Sequence, residues 1–462
     1  MVPFFGGRST LWSAWCPRPD DNELDGWPKA TIEAAKRNFS SAEKLLRVKP
    51  ADQIDGHRPT DELKFLCQQR PVYGALQKWV QTELEVNGET VPGVYRTEPA
   101  PLSCASDNGI DFQKFATPGE LLEIVDQARQ RGKLGDDIGP RVDVVCDCIV
   151  EEINQQETPN GDRQATALQT SRGVFALGKA ELILAMGTLP PATLLRNSFP
   201  TKEGLDERFS AHFITSIVAR VPKAHLDPKA KFAELELGAC YITGVVNKNY
   251  KQQYHIQLSA LSDDKPEKNA ATALRYMPDV VATASMTQLR QSKDYVVFVC
   301  AVLGELDYRN DKTWFRGNDD DDNKTTNSLL QMDINDADKE TWDAMDLATF
   351  EILEKVLSPK GSDSVEYWLA APTDANPDAG CFVSERHKFR VDATVHESST
   401  LHLGKEKTAP VDLNYRFKGA TNVYVTGGAL WPQGGSWNPT LTMVALTQDL
   451  ADNLTKSKGS SV

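Results

Sequence analysis

No apolar run in the 462-residue chain approaches the roughly 20 residues that a membrane-crossing helix needs, so the sequence predicts no membrane span. Positive charge is in deficit as well: 51 Lys and Arg stand against 65 Asp and Glu, a formal charge of -14. Such a surface repels phosphate backbones and anionic lipid, which excludes nucleic acid and membrane as expected partners. The start, Met1-Val2-Pro3-Phe4-Phe5, lacks the basic segment and apolar core of a secretory signal, and a cytoplasmic location is expected. Cysteine is scarce and scattered, with Cys146 and Cys148 the one close pair; C-x-C is neither a zinc nor a redox spacing. Free thiols in a reducing compartment are expected, with Cys146 and Cys148 buried on one face of a strand as small hydrophobes. The acidic run Asp319-Asp320-Asp321-Asp322 lacks the spaced ligands and distal Glu of a calcium loop, so it reads as a solvated surface loop and no metal is expected. Finally, no two of the 30 glycines are separated by a single residue, which excludes any G-x-G phosphate-cradling turn.

What remains is ordinary globular material, 40% hydrophobic and 25% charged, long enough for two domains. Residues 25–48 carry Ala34, Ala35, Phe39, Ala42, Leu45 and Leu46 at spacings of three and four, the pattern of an amphipathic helix. A second helix is expected at 119–131, and the Pro-rich stretch 91–101 reads as loop. Residues 142–150 form a β-rich run. Residues 181–187 are almost continuously apolar and end at Gly187, as in a central parallel strand buried on both faces. Pro190 and Pro191 then open a helix. Strand-like runs at 213–221, 255–261 and 295–303 predict an antiparallel sheet. A helix at 339–357 follows, then a strand at 422–428 and a helix at 439–454. The fold class is therefore α/β plus α+β, a discontinuous α/β domain interrupted by a domain built on an antiparallel sheet and helices.

Three segments in this order resemble the glucose-methanol-choline (GMC) family of flavoprotein oxidoreductases. They are Gly6-Gly7-Arg8-Ser9-Thr10-Leu11-Trp12, the strand-to-helix stretch 183–198, and a C-terminal block. The block runs from His396-Glu397-Ser398-Ser399-Thr400-Leu401-His402-Leu403-Gly404 through residues 422–428 to Pro432-Gln433-Gly434-Gly435-Ser436-Trp437-Asn438-Pro439-Thr440. Ser399 stands where the family's H-x-x-G-T segment has glycine.

The resemblance implies an oxidoreductase acting on an alcohol or sugar-like small molecule, with FAD as cofactor. His396 is then the catalytic base, expected to titrate near neutrality, and Asn438 binds the substrate oxygen while capping the helix that Pro439 opens. Gly6, Gly7, Arg8, Ser9, Cys148, Gly187, Thr188, Gly427, Gly428, Pro439 and Thr440 are the implied cofactor-binding residues. His402 reads as structural. Leu11 stands where some sugar-oxidising relatives attach flavin covalently through histidine, so FAD would be held noncovalently; Gly427 stands where an acidic contact is common. The implied FAD-binding-like domain comprises residues 1–30, 100–210 and 396–462, and the substrate-binding domain 31–99 and 211–395.

Family members open with a strand, a G-x-G-x-x-G turn and a helix that hold the ADP half of FAD, and this sequence has none of that segment. The expectation is weak or absent FAD binding. Two further readings stand beside the oxidoreductase: a flavin-free homologue doing acid/base chemistry (isomerase, lyase or cyclase), or a non-catalytic subunit in a homo- or hetero-oligomer.

Overall fold

A computed structural model describes residues 5–54, 72–105, 113–133, 142–200, 205, 208–226, 232, 234–246, 252–278, 284–370 and 380–459. Strands form where the runs at 213–221, 255–261 and 295–303 predicted them, and five further strands complete the same sheet. Its strands are β1 (Val94–Pro99), β2 (Ser210–Pro222), β3 (Leu235–Val245), β4 (Gln253–Asp263), β5 (Tyr295–Glu305), β6 (Glu366–Ala370), β7 (Gly380–Val383) and β8 (Phe389–Ser398). They lie in the order β7-β6-β2-β5-β4-β3-β1, every pairing antiparallel, and β8 joins the same edge of β2 that β6 uses further along.

Period-2 alternation divides this sheet into two buried faces. Phe213, Ile217, Ile256, Leu258, Phe298, Cys300 and Val302 face one core with helices α1 (Lys29–Leu46), α2 (Ala75–Asn87) and α3 (Asp336–Glu351). Val218, Ala239, Tyr241, Leu261, Val297 and Val299 face the other, with Trp15, Leu102, Tyr276 and Leu289. Each such Leu, Ile, Val or Phe contributes about 1.5–3 kcal/mol of apolar burial. At the end of the second face where β2 begins, the alternation changes character: His212, His255, Gln257, Thr243 and Glu305 replace aliphatic side chains on the same parity.

Helix α1 buries Thr31, Ala34, Ala35, Phe39, Ala42 and Leu46, as its spacing requires. It packs against the C-terminal helix α4 (Thr440–Gly459), where Ser41 donates to Gln448 and Arg37 pairs with Asp449. The expected helix at 119–131 runs as Thr117–Lys133, and Pro190 and Pro191 sit in the first turn of Leu189–Ser198. The helix expected at 339–357 ends as α3 at Glu351 and continues as one π turn, Ile352–Val356. None of the helices of the described residues is long and apolar enough to cross a membrane.

One expectation is corrected by β1 itself: the stretch 91–101, expected as loop, carries this strand (Val94–Pro99), paired antiparallel with β3. Two further expectations need correction. Residues 142–149 have no strand structure; the strand starts at Val150 and runs to Glu157, pairing with Arg163–Thr170. Cys146 is consequently exposed and Cys148 half-buried, because without a partner sheet nothing covers that run. The other concerns β9 (Leu182–Leu184), which does pair in parallel with β10 (Val423–Val425), but as a two-stranded ribbon. Only one face of it is packed, so Ile183 is 46% exposed rather than buried on both sides.

Candidate active site

His396 owes its position to an irregularity in β8. Val395 pairs with His212 but Ser398 pairs with Ser210, so one residue too many lies on β8 between those pairs. Such a bulge redirects side chains. His396 takes up the extra length in the left-handed region, φ 60°, which few non-glycine residues enter, histidine being among those that do. The chain around it is held from three directions. Arg8 makes a bidentate ion pair with Glu397, Nη1 to Oε2 at 2.5 Å and Nη2 to Oε1 at 2.7 Å. Thr188 Oγ1 donates to the Glu397 carbonyl at 2.5 Å, and Thr400 Oγ1 donates to the Thr188 carbonyl at 2.6 Å. The Ser399 N–H donates to the Gly428 carbonyl at 3.1 Å, and a Cβ on Gly428 would stand 2.9 Å from the Glu397 oxygen.

So placed, His396 meets a row of buried polar groups on the sheet. Its Nδ1 lies 2.9 Å from Nδ1 of His212, the rings edge to face at 86°. His255 is next, its ring 6.2 Å from that of His212 and stacked on Tyr241 at 4.8 Å. Gln257, two residues along the same strand face, places Nε2 3.3 Å from His255 Nε2 and donates to Asn438 Oδ1 at 2.6 Å. Thus His396 and Asn438 end one row, His396–His212–His255–Gln257–Asn438, in which His212 and His255 are fully buried and His396 is half-buried at the outer end. The Asn438 side chain is directed across to the sheet, and this, rather than the helix cap expected for it, is the hydrogen bond its oxygen makes among the described residues.

The segment 434–438 lines the row with main chain. Gly435 donates its N–H to Glu305 Oε1 at 2.8 Å and adopts φ 66°; a Cβ there would fall 1.7 Å from the Trp437 ring. Trp437 is itself locked in an aromatic group with Trp431 and Trp27.

Electrostatically the row is neutral. Burial lowers the pKa of His396, and the neighbouring His255 and Arg8 charges lower it further, to about 3. This corrects the expectation of a histidine titrating near neutrality, because the ring, half-buried at the outer end of the row, is partly desolvated and stands among other imidazoles and near Arg8. Burial likewise lowers His212 and His255, each aided by its neighbouring ring. Burial pushes Glu397 up, but the Arg8 guanidinium outweighs it and holds the carboxylate below its usual range. Glu305 is raised to about 7 by burial, only partly offset by the Gly435 N–H.

The implied cofactor residues gather around the same point. Gly6, at φ 93°, opens the turn Gly7–Thr10; Ser9 Oγ donates to the Gly6 carbonyl and meets Thr117 Oγ1, while Arg8 reaches Glu397 beside His396. Gly187 and Gly427 follow the C-terminal ends of the paired strands β9 and β10, at φ 78° and 86°. Open space stands where a Cβ of Gly187 would lie, and Met443 Sδ at 4.0 Å is all that a Cβ of Gly427 would meet. Crevices beyond the carboxyl ends of parallel strands are where open α/β sheets bind ligands. Thr188 and Gly428 adjoin Glu397, and Pro439 and Thr440 follow Asn438 into α4. Cys148 is the exception: it lies in the irregular 142–149 run and has no described contact with this group.

Sequence reasoning missed His212, His255, Gln257, Glu305 and Glu397. A signal existed for two of them: His255 and Gln257 alternate with Tyr254, Ile256 and Leu258 in an otherwise apolar strand, the mark of one polar sheet face.

No curated protein matches the chain. Residues 239–447, a span that holds His255, Gln257, His396 and Asn438, match the family model described as GMC oxidoreductase, so this part of the chain is similar to that family.

Proposed function

We propose that the chain is a GMC-type oxidoreductase that oxidises an alcohol or sugar-like small molecule, with His396 as base. The observation that carries this is the bulge in β8, which spends a left-handed residue to turn His396 onto the polar row that ends at Asn438. Oxidation of an alcohol removes a proton from oxygen and a hydride from carbon. A neutral His396 accepts the proton at the ring nitrogen that His212 leaves unengaged. Asn438, whose oxygen is taken by Gln257, keeps its Nδ2 hydrogens as donors at the other end of the row, and the reading requires that the substrate oxygen lie within reach of both ends.

The open, left-handed glycines Gly187 and Gly427 at the strand ends suit a planar ring laid against backbone, so these residues fit a flavin. Gly6, Gly7, Arg8, Ser9, Thr188 and Gly428 would flank it, with Pro439 and Thr440 at the positive end of α4. When bound there, noncovalent FAD supplies the hydride acceptor. The division into a discontinuous FAD-binding-like domain and a substrate-binding domain is part of the same proposal.

A second reading uses the same polar row without flavin, for isomerisation or elimination by acid/base chemistry at His396. Both are tested by incubating the purified full-length chain with saturating FAD, a dye acceptor, and a panel of primary alcohols and aldoses. FAD-dependent dye reduction supports the oxidoreductase. No dye reduction with any member, but substrate isomerised or dehydrated without FAD, replaces it with the second reading.

A further inference from the structure

We infer that the pocket at the N-terminus of α1 binds a small organic phosphate, at a site apart from the row that holds His396 and Asn438. The pocket, about 460 Å³, is lined by Trp27, Lys29 and Ala30 at and just before the start of α1, and by Arg208, Lys405 and Glu406. No residue of the row lines it.

A helix starts with N–H groups that have no acceptor within the helix, and a Ser, Thr, Asp or Asn side chain commonly covers them. The 18-residue helix α1 has no such cover. Pro28 holds the cap position without a side-chain bond, and the first turn carries no acidic residue. Thr31 and Ile32 donate to the Pro28 carbonyl, whereas the N–H groups of Lys29 and Ala30 have no acceptor among the described residues. Those two residues are the ones in the pocket wall. Charge points the same way: in a chain of formal charge -14, three cations and a single carboxylate, Glu406, line this pocket. Arg208 donates to the Pro432 carbonyl at 3.2 Å and lies over the Tyr308 ring, and neither it nor Lys405 has a carboxylate partner among the described residues. Lys29 meets Glu33 only at 3.9 Å, with both side chains exposed and the pair accordingly weak.

Trp27 is the independent sign. It lines the pocket but is only 5% exposed, and its indole N–H, which can donate and never accept, is buried without a hydrogen-bond partner. A buried donor left bare is uncommon in folded proteins. This wall of the pocket therefore offers donors without acceptors, main-chain N–H groups at a helix N-terminus beside an indole, together with guanidinium and ammonium charge, and that combination selects an oxyanion. A phosphate monoester, with close to two negative charges and three acceptor oxygens, matches three cations better than a carboxylate does. The volume falls within the range of small-molecule sites, and Trp27, Tyr308 and Leu413 in the walls leave apolar surface for the body of the ester.

The test is isothermal titration calorimetry of the full-length chain with phenyl phosphate, inorganic phosphate, benzoate and phenol. Phenyl phosphate should bind most tightly of the four, with an affinity that falls as salt is added, and phenol should not bind. Arg208→Gln should weaken phenyl phosphate about tenfold or more, the scale of one charge-assisted hydrogen bond. Glu406→Gln, which removes the opposing charge, should tighten it. Lys405→Gln, a change at an exposed position, should weaken it and keeps the test decisive should Arg208→Gln fail to fold. No binding of phenyl phosphate, benzoate or phenol bound as tightly, an affinity unchanged in Arg208→Gln and Lys405→Gln, or weaker binding in Glu406→Gln overturns the inference.

Discussion

Gly435→Ala should be among the most damaging single-methyl additions in the molecule, and the size of the effect can be worked from its two causes. The residue sits at φ 66°, and an L side chain in the left-handed region costs about 1–2 kcal/mol. The new Cβ would also stand 1.7, 2.3 and 2.4 Å from three atoms of the Trp437 ring. That ring is fully buried and stacked on Trp431 at 5.3 Å, so it has nowhere to go, and overpacking of this kind costs about 1–3 kcal/mol. The sum is about 2–5 kcal/mol. Gly187→Ala separates the two causes, because Gly187 has the same handedness at φ 78° but nothing within 4 Å of its Cβ; it should cost only the backbone part, about 1–2 kcal/mol. Urea unfolding of both variants against wild type, followed by tryptophan fluorescence, measures the difference. Equal midpoints for the two variants would refute the collision with Trp437, and a Gly435→Ala midpoint equal to wild type would refute the backbone argument too.

Two pH-linked predictions follow from the same site. Arg8→Ala removes the partner that holds Glu397 below its usual range; a depressed carboxyl stabilises the fold above its unfolded pKa and loses that contribution as pH falls through the folded value. With Arg8 59% exposed the pair is screened, so the variant should lose about 0.2–1 kcal/mol at pH 7, the loss vanishing below about pH 4 in urea titrations run across pH. Glu305 has the opposite sign: its folded pKa, about 7, lies above the unfolded one, so the fold binds more protons and loses stability as pH rises from about 4.5 to 7. Glu305→Gln keeps an oxygen for the Gly435 N–H but does not titrate, and should gain on the order of 1–2 kcal/mol over wild type between pH 5 and pH 8, read as diverging urea midpoints. Midpoints that stay parallel would show that Glu305 is not held protonated by the fold.

Three strands were legible because β5 is apolar on both faces and β2 and β4 are apolar on at least one, a pattern each strand shows without help from its neighbours. Helix α1 was legible for the equivalent reason at period 3.6. Residues 142–149 misled because Val142, Val144, Val145 and Ile149 have β propensity, yet propensity expresses packing against a partner sheet, and Val144, Val145 and Ile149 lie exposed. The site divides similarly. His396 and Asn438 were found through their motifs, and the Arg8 turn through its glycines. The row between them was not, since it depends on a one-residue register shift that no local pattern encodes: without the bulge at His396, His212 would be one more polar residue in a strand. The depressed pKa of His396 follows from that same burial and was equally out of reach.

The central claim is that His396 removes a hydroxyl proton while FAD takes the hydride, and it is tested most directly by anaerobic single-turnover bleaching of FAD on the full-length chain. The wild-type chain, loaded with FAD, should lose the long-wavelength flavin absorbance when mixed with a substrate alcohol or aldose. His396→Ala, binding FAD equally, should bleach about a hundredfold more slowly or worse, the usual scale for losing a general base. Bleaching at the wild-type rate in His396→Ala, or none in the wild-type chain with FAD bound and the whole substrate panel tried, would contradict the account.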